Sequence, residues 1–210
     1  MDGTMNNNVV QLSGIVAEEP VYSHSVFGEG FYETKVEVER LSGQKDLIPV
    51  TVSERLLGGG EFDKGSYVGI SGQFRSYNKL ADGRSRLMLT VFVRETGAEL
   101  MPNTNKIELT GFICKPPIYR TTPFKREIAD ILIAVNRAYN KSDYIPCIAW
   151  GRNARFADSL AVGDKVELTG RIQSREYKKT DVSGAEIIRT AYEISVNRLS
   201  YAGEEEEAEY

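Results

Sequence analysis

The sequence predicts an all-β chain of two tandem, five-stranded Greek-key barrels, each with a short helix between its third and fourth strands. Three observations carry this. First, "NVVQLSGIVAEEPVY" at Asn8 returns as "NKIELTGFICKPPIY" at Asn105, and the offset of 97 holds without a gap through Pro49. Second, apolar residues alternate with polar ones in short runs, the period of half-buried strands. Third, each copy places a glycine inside its first strand (Gly14, Gly111) and a short helical stretch after its third. With 210 residues, the chain suits two domains of about 100 each.

In the first copy, residues 1–7 read as a disordered lead, and Val10, Leu12, Ile15 and Val16 make a strand with Gly14 at a bulge or bend. Pro20 ends it. Phe31–Arg40 is the second strand, "LSGQKD" a hairpin turn, and Leu47–Val52 the third strand. Ser53 can cap a helix that Gly58–Gly60 cuts short. Tyr67–Phe74 and Leu87–Val93 pair across a tip at Ala81–Gly83. Gly97–Thr104, with Pro102, is a linker.

The second copy repeats the order: Ile107–Cys114, Ile128–Arg137, a loop over Ala138–Ser142, Tyr144–Trp150, a helix over Asn153–Leu160, then Val166–Arg175 and Ile187–Leu199 around a tip at Asp181–Gly184. This order is that of the OB-fold; short strands of this kind also fit other small barrels, and the helix position and the glycine within the first strand favour the OB reading. The boundaries drawn are 8–96 for the first fold, 97–104 for the linker, 105–201 for the second fold and 202–210 for an acidic tail.

Charge is distributed unevenly. Residues 1–100 hold 10 Lys/Arg against 14 Asp/Glu, residues 101–203 hold 16 against 11, and the last seven add five Glu. Two cysteines and one histidine cannot complete a four-ligand zinc site; Cys114 and Cys147 read as small residues in a reduced compartment, and His24 as a solvated loop residue. The sequence offers no run of about 18 apolar residues and no basic-then-apolar leader, so a cytoplasmic location is expected. No nucleophile, base and orienting acid come in a recognisable order, and no glycine-rich loop opens a helix. The expectation is a non-enzyme without cofactor or metal.

Aromatic and basic residues interleave in the second copy. Tyr139 and Lys141 fall in the loop after the second strand; Tyr144 opens the third and Trp150 ends it, before Arg152 and Arg155. Arg171, Arg175 and Tyr177 run along the fourth strand into Lys178 and Lys179. Rings offer stacking surfaces and cations follow phosphates, the combination that binds single-stranded nucleic acid without sequence preference. Trp150 at a strand end could instead be core or an interface plug, Tyr144 and Tyr177 could be rim residues lying on the barrel, and any single cation could serve solubility. Tyr139 has little core to enter.

The second copy resembles the bacterial single-stranded-DNA-binding protein family. The matching motifs are Asn105-Lys106, Gly111, Pro117-x-Tyr119, Leu132–Arg137, Asp143–Pro146, Trp150–Ala154, Gly163–Val166 and Gly170–Arg175. The resemblance implies stacking of bases on Tyr139, Tyr144, Trp150 and Tyr177. Phosphate contacts are expected from Lys106, Arg137, Lys141, Arg152, Arg155, Arg171, Arg175, Lys178 and Lys179. The more distant first copy has no ring at the corresponding positions, leaving Tyr77 and Lys79 as weaker contacts. The family assembles four folds, so a duplicated chain implies a homodimer acting in replication, repair or recombination. The tail, with Glu204, Glu205, Glu206, Glu207 and Tyr210, keeps acid and a terminal ring but lacks the family's Pro-Phe ending; a docking segment for replication or repair proteins and a solvated acidic end both stay open. The runner-up reading is a replisome adaptor resembling the primosomal replication protein with an OB-fold, which mainly binds proteins.

Overall fold

The computed structural model describes residues 6–81, 83–180 and 184–203, apart from the side chains at 81 and 84. The acidic tail at Glu204–Glu207 and Tyr210 lies outside these residues, as do positions 1–5 of the expected lead and parts of both expected hairpin tips.

The first barrel contains β1 (Asn8–Val16), β2 (Val21–Val26), β3 (Glu29–Glu39), β4 (Lys45–Ser53), β5 (Tyr67–Ala81) and β6 (Arg84–Thr96). Its strands lie in the order β2-β3-β4-β6-β5-β1, and β1 returns to β3 to close the barrel. The second contains β7 (Asn105–Ile113), β8 (Ile118–Thr121), β9 (Glu127–Arg137), β10 (Lys141–Trp150), β11 (Lys165–Thr180) and β12 (Glu186–Tyr201). It repeats the order as β8-β9-β10-β12-β11-β7, with β7 closing on β9. In both, the third long strand runs parallel to the last (β4 with β6, β10 with β12), and the other pairings recorded are antiparallel.

The described residues form six strands per barrel rather than the expected five. The extra ones, β2 and β8, each pair with one neighbour, β3 or β9, and β2 is exposed along its whole length. A strand without a buried face leaves no alternating pattern to read. The same cause lengthens β5, β6, β11 and β12 beyond their expected ends. Past Phe74, the pairing continues from Arg75↔Thr90 to Ala81↔Arg84, held by backbone hydrogen bonds after the apolar alternation stops.

Core residues are those the alternation selects. Val10, Leu12, Val36, Ile48, Val50, Ile70, Phe74 and Val91 fill the first barrel; Ile107, Ile133, Val135, Ile145, Ala149, Val166 and Ile194 fill the second. Each buried side chain of this size contributes about 1.5–3 kcal/mol. Ser53 caps as expected, accepting from Arg55 N at 3.3 Å, but the turn it opens is a three-residue 3-10 helix, Glu54–Leu56. The second barrel carries a true helix, α1 (Arg152–Asp158), which buries Ala154 and Ala157.

The chain divides into two compact units: Met1–Asn8, Ile107–Arg171 and Ile194–Tyr210 form one, and Val9–Lys106 with Ile172–Glu193 form the other. The outer hairpin of β11 and β12 therefore groups with the first-copy residues, whereas the sequence boundaries put it wholly in the second fold. In that unit the linker is pinned: Ser13 N donates to Thr104 O at 2.8 Å and Ser13 Oγ to Met101 O at 2.7 Å. Asn7, placed in the disordered lead from sequence, donates through Nδ2 to Asn136 O at 2.8 Å.

Candidate nucleic-acid interface

The register of β9 and β10 explains how the second barrel presents its rings. On β10, Asp143, Ile145, Cys147 and Ala149 are buried and face the core; on the alternate face Tyr144 and Trp150 are exposed, Ser142 and Pro146 half-buried and Ile148 buried. Tyr144 and Trp150 thus share the outer face, about 20 Å apart at about 3.3 Å per residue. They are 46% and 40% exposed, which removes the core reading of Trp150. Opposite Tyr144 on β9 stands Ala134, and opposite Trp150 stands Ile128. At one end of this face, the β9–β10 turn carries Tyr139, 93% exposed. Tyr139 and Asn140 have φ of 61° and 55°, a conformation L-residues adopt at a cost. The ring is held out rather than folded back.

The expected cations differ in how they are engaged. Lys141, Arg152 and Lys179 are exposed. Arg137 is tied to the buried Asp143 carboxylate at 3.2 Å, Arg155 to Glu127, Lys178 to Glu186 at 2.9 Å, and Arg175 lies 3.7 Å from Glu193. The Arg137 pair clamps the ends of the β9–β10 turn, as Arg40 and Asp46 do for the β3–β4 turn at the same repeat position. Arg137 is thereby a structural residue whatever else it contacts. Arg171 is half-buried, and Lys106 is exposed.

Tyr177, with Arg175, Lys178 and Lys179, lies on the Ile172–Glu193 hairpin and belongs to the other compact unit, as does Lys106. Tyr177 is exposed. Within that unit, Asp46 accepts from Arg40 and from both the backbone N (2.8 Å) and Oγ (2.9 Å) of Ser174. Burial pushes the Asp46 carboxyl up, but the Arg40 hydrogen bonds, the two Ser174 donors and the Arg40 charge together hold it below its ordinary value.

The outer face of the first barrel is not the ring-poor surface expected. His24 sits on β2, not in a loop, and stacks on Phe31 with centroids 5.3 Å apart and planes 17° apart. Phe31 meets Phe92 at 5.6 Å, and the Arg75 guanidinium lies 3.9 Å above the Phe92 ring, with Arg94 at 5.7 Å. Tyr77 donates to Glu33 Oε1 at 3.3 Å; burial, then the Glu33 charge and hydrogen bond, pushes its hydroxyl up to about 12. Lys79 is exposed. These rings escape comparison by position because Phe31 and Phe92 replace Ile128 and Ser195 rather than the four stacking residues. Alternation could have found them: Gln73, Arg75 and Tyr77 share one face of β5, and Phe92 pairs with Gln73.

Among the described residues, no group of three or more His, Cys, Asp or Glu side chains could hold a metal ion. No helix there is long and apolar enough to cross a membrane. Cys114 and Cys147 are not joined in a disulfide, and burial pushes the Cys114 thiol up, away from a reactive thiolate.

Residues 104–201 match the model of the single-strand binding protein family. Single-stranded DNA-binding protein 1 of Staphylococcus aureus is 33% identical over 84 residues, covering 37% of this chain and 50% of that protein. The single-stranded DNA-binding protein of Oceanobacillus iheyensis is 28% identical over 116 residues, covering 50% of this chain and 72% of the relative. The chain spans about half the length of the first of these relatives. Among solved structures, the wild-type single-stranded DNA binding protein from Thermus aquaticus superposes with a TM-score of 0.72 at 19% identity, covering 95% of this chain and 94% of that one. That likeness gives the fold, two tandem OB-folds. With the motifs that β7, β9, β10 and β11 place around one barrel, residues 104–201 are a domain of the single-strand binding protein family.

Proposed function

We propose that the chain binds single-stranded DNA without sequence preference and without catalysis, in replication, repair or recombination. The observation that carries this is the outer face of β10: Tyr144 and Trp150 stay exposed beside the everted Tyr139 while the opposite face of the same strand is buried. Rings so placed accept bases at about 1–3 kcal/mol each, and Lys141 and Arg152 lie beside them for phosphates. Tyr177, Arg175, Lys178 and Lys179 on the outer hairpin, and Tyr77 and Lys79 on the first fold, are further contacts in this reading. The relatives named as single-stranded DNA-binding proteins support it. The same reading makes the protein a cytoplasmic homodimer with four folds, and makes the acidic tail a docking segment for replication or repair proteins.

Trp150 is the only tryptophan, so its fluorescence reports on the site directly. Titration with oligo-dT at low salt is expected to quench it, and raising salt to reverse the quench. Unchanged fluorescence at low salt, with no complex by light scattering, would refute the reading. A protein-binding adaptor is the second reading, favoured by the exposed apolar edge at Val21, Tyr22, Val26 and Phe27. Under it, Tyr139→Ala with Trp150→Ala would leave the protein's interactions intact.

A further inference from the structure

The β8–β9 hairpin ends in an exposed ring that the stacking set above does not include. Phe124 is 88% exposed at the tip of a five-residue turn between the Thr121↔Glu127 pair. The turn is tightly built: Lys125 N donates to Thr122 O at 2.8 Å, Thr122 N to Arg126 O at 2.9 Å, and Arg126 N to Thr122 Oγ1 at 3.1 Å. Pro123 fixes one backbone angle, and Lys125 takes the left-handed conformation with φ of 57°. The ring is presented on a rigid tip, so little conformational freedom remains to be lost on binding.

The first copy repeats the feature. Phe27, 97 residues earlier, is fully exposed at the tip of the β2–β3 hairpin. It takes φ of 50°, in a two-residue turn whose two positive angles ordinarily select Asn-Gly. Neighbouring positions have diverged (Gly28 against Lys125, Glu29 against Arg126), yet both tips keep the ring. Burial does not explain it in either fold.

The surroundings of the second tip identify an occupant. Lys125 and Arg126 follow Phe124 directly, and both are exposed. Arg120 lies on the outer face, paired with Asp130 at 2.8 Å in a bridge exposed on both sides and therefore weak. The register then runs Arg120↔Ile128↔Trp150 across three adjacent strands, about 10 Å from β8 to β10, with Ile128 buried between the exposed Arg120 and Trp150. Cations and an aromatic tip therefore continue the face that ends at Trp150. The first tip has Gly28 and Glu29 in place of these cations, with Glu29 engaged by Arg55 and Ser53.

We propose that the Phe124 tip is a further base-stacking subsite, with Lys125, Arg126 and Arg120 holding the phosphates of a single strand that runs past Trp150. This rests on the single-strand-binding reading of the Trp150 face. The test compares oligo-dT of about 8 nucleotides, within the usual site of one OB-fold, with one of about 20, beyond it. Phe124→Ala is expected to weaken the longer oligonucleotide about 5- to 150-fold, the range one lost stack gives, and to leave the shorter nearly unchanged. Phe27→Ala should change neither. Lys125→Gln with Arg126→Gln should lower the slope of log affinity against log salt by about 1.4. With F124W in a W150F background, the sole indole sits at the tip and should be quenched by the longer strand. Unchanged long-strand affinity in Phe124→Ala, or an unquenched tip indole, overturns the subsite while wild-type binding stands. Altered oligomeric state in Phe124→Ala also overturns it, by assigning the tip to protein contact. If the wild type binds neither length, the reading beneath it fails instead. Circular dichroism of each variant checks that the exposed substitution leaves the fold intact.

Discussion

The residue with most at stake in the first fold is Asp46, which is buried and accepts from Arg40 and twice from Ser174. Removing one partner of a buried pair leaves the other charge uncompensated, at a cost of about 3–5 kcal/mol. Asp46→Asn is therefore expected to lower unfolding stability at pH 7 by about that amount in urea melts. Its acid dependence has a definite sign. The folded carboxyl lies below its ordinary value, so its stabilisation is complete above the unfolded value of about 3.9. It is lost as pH falls through the lower, folded value. The gap between wild type and Asp46→Asn should thus be widest above about pH 5 and narrow in strong acid; a gap independent of pH would refute the linkage. Arg40, Asp46 and their repeats Arg137 and Asp143 are visible in the sequence as matched positions. Their role as turn clamps is not, because a strand-end arginine beside an aspartate reads as surface charge until burial is known.

At the level of elements, barrel closure falls on the first strand of each copy. Gly14 and Gly111 sit where that strand crosses to the second long strand, and the sequence marks both as bend positions. The reason is close approach of backbone. A Cβ at Gly14 would come 2.1 Å from Glu37 O, and one at Gly111 would come 2.6 Å from both Ala134 O and the Ile133 side chain. Gly14→Ala and Gly111→Ala are each expected to destabilise by about 1–3 kcal/mol, with Gly14 the more sensitive because its Cβ would approach the backbone oxygen more closely. For a domain of this size, that is a fall of about 4–8 °C in melting temperature per kcal/mol, read by calorimetry. What was legible in the sequence follows the same logic. Strands with one buried face announce themselves by alternation, and so did the rings of β10. The β2 and β8 edges and the distal halves of the long hairpins depend on backbone pairing, which leaves no period to find. The Phe31–Phe92 pair lies on alternating positions and is missed only because it does not fall at the four stacking positions.

For the whole molecule, the net charge of −4 conceals a separation between rings and cations that the proposed binding would use differently. Rings contribute affinity without changing how many counterions a bound strand releases, whereas cations set that number. Tyr139→Ala with Trp150→Ala is expected to weaken oligo-dT by about 2–6 kcal/mol, two stacks' worth, with an unchanged salt slope. Lys141→Gln with Arg152→Gln should instead flatten the slope by about 1.4 and weaken binding most at low salt. What survives in the ring-less variant tests the first fold. Its outer face offers the Phe92 ring under Arg75, beside Phe31 and His24, but Glu33 stands on the same face and opposes phosphate. Phe92→Ala in the ring-less background is therefore expected to abolish the residual binding, and in the wild-type background to cost no more than about threefold, less than the weakest single stack. Equal losses in the two backgrounds would instead make the folds equal binders, and acidity would then not set the division of labour between them.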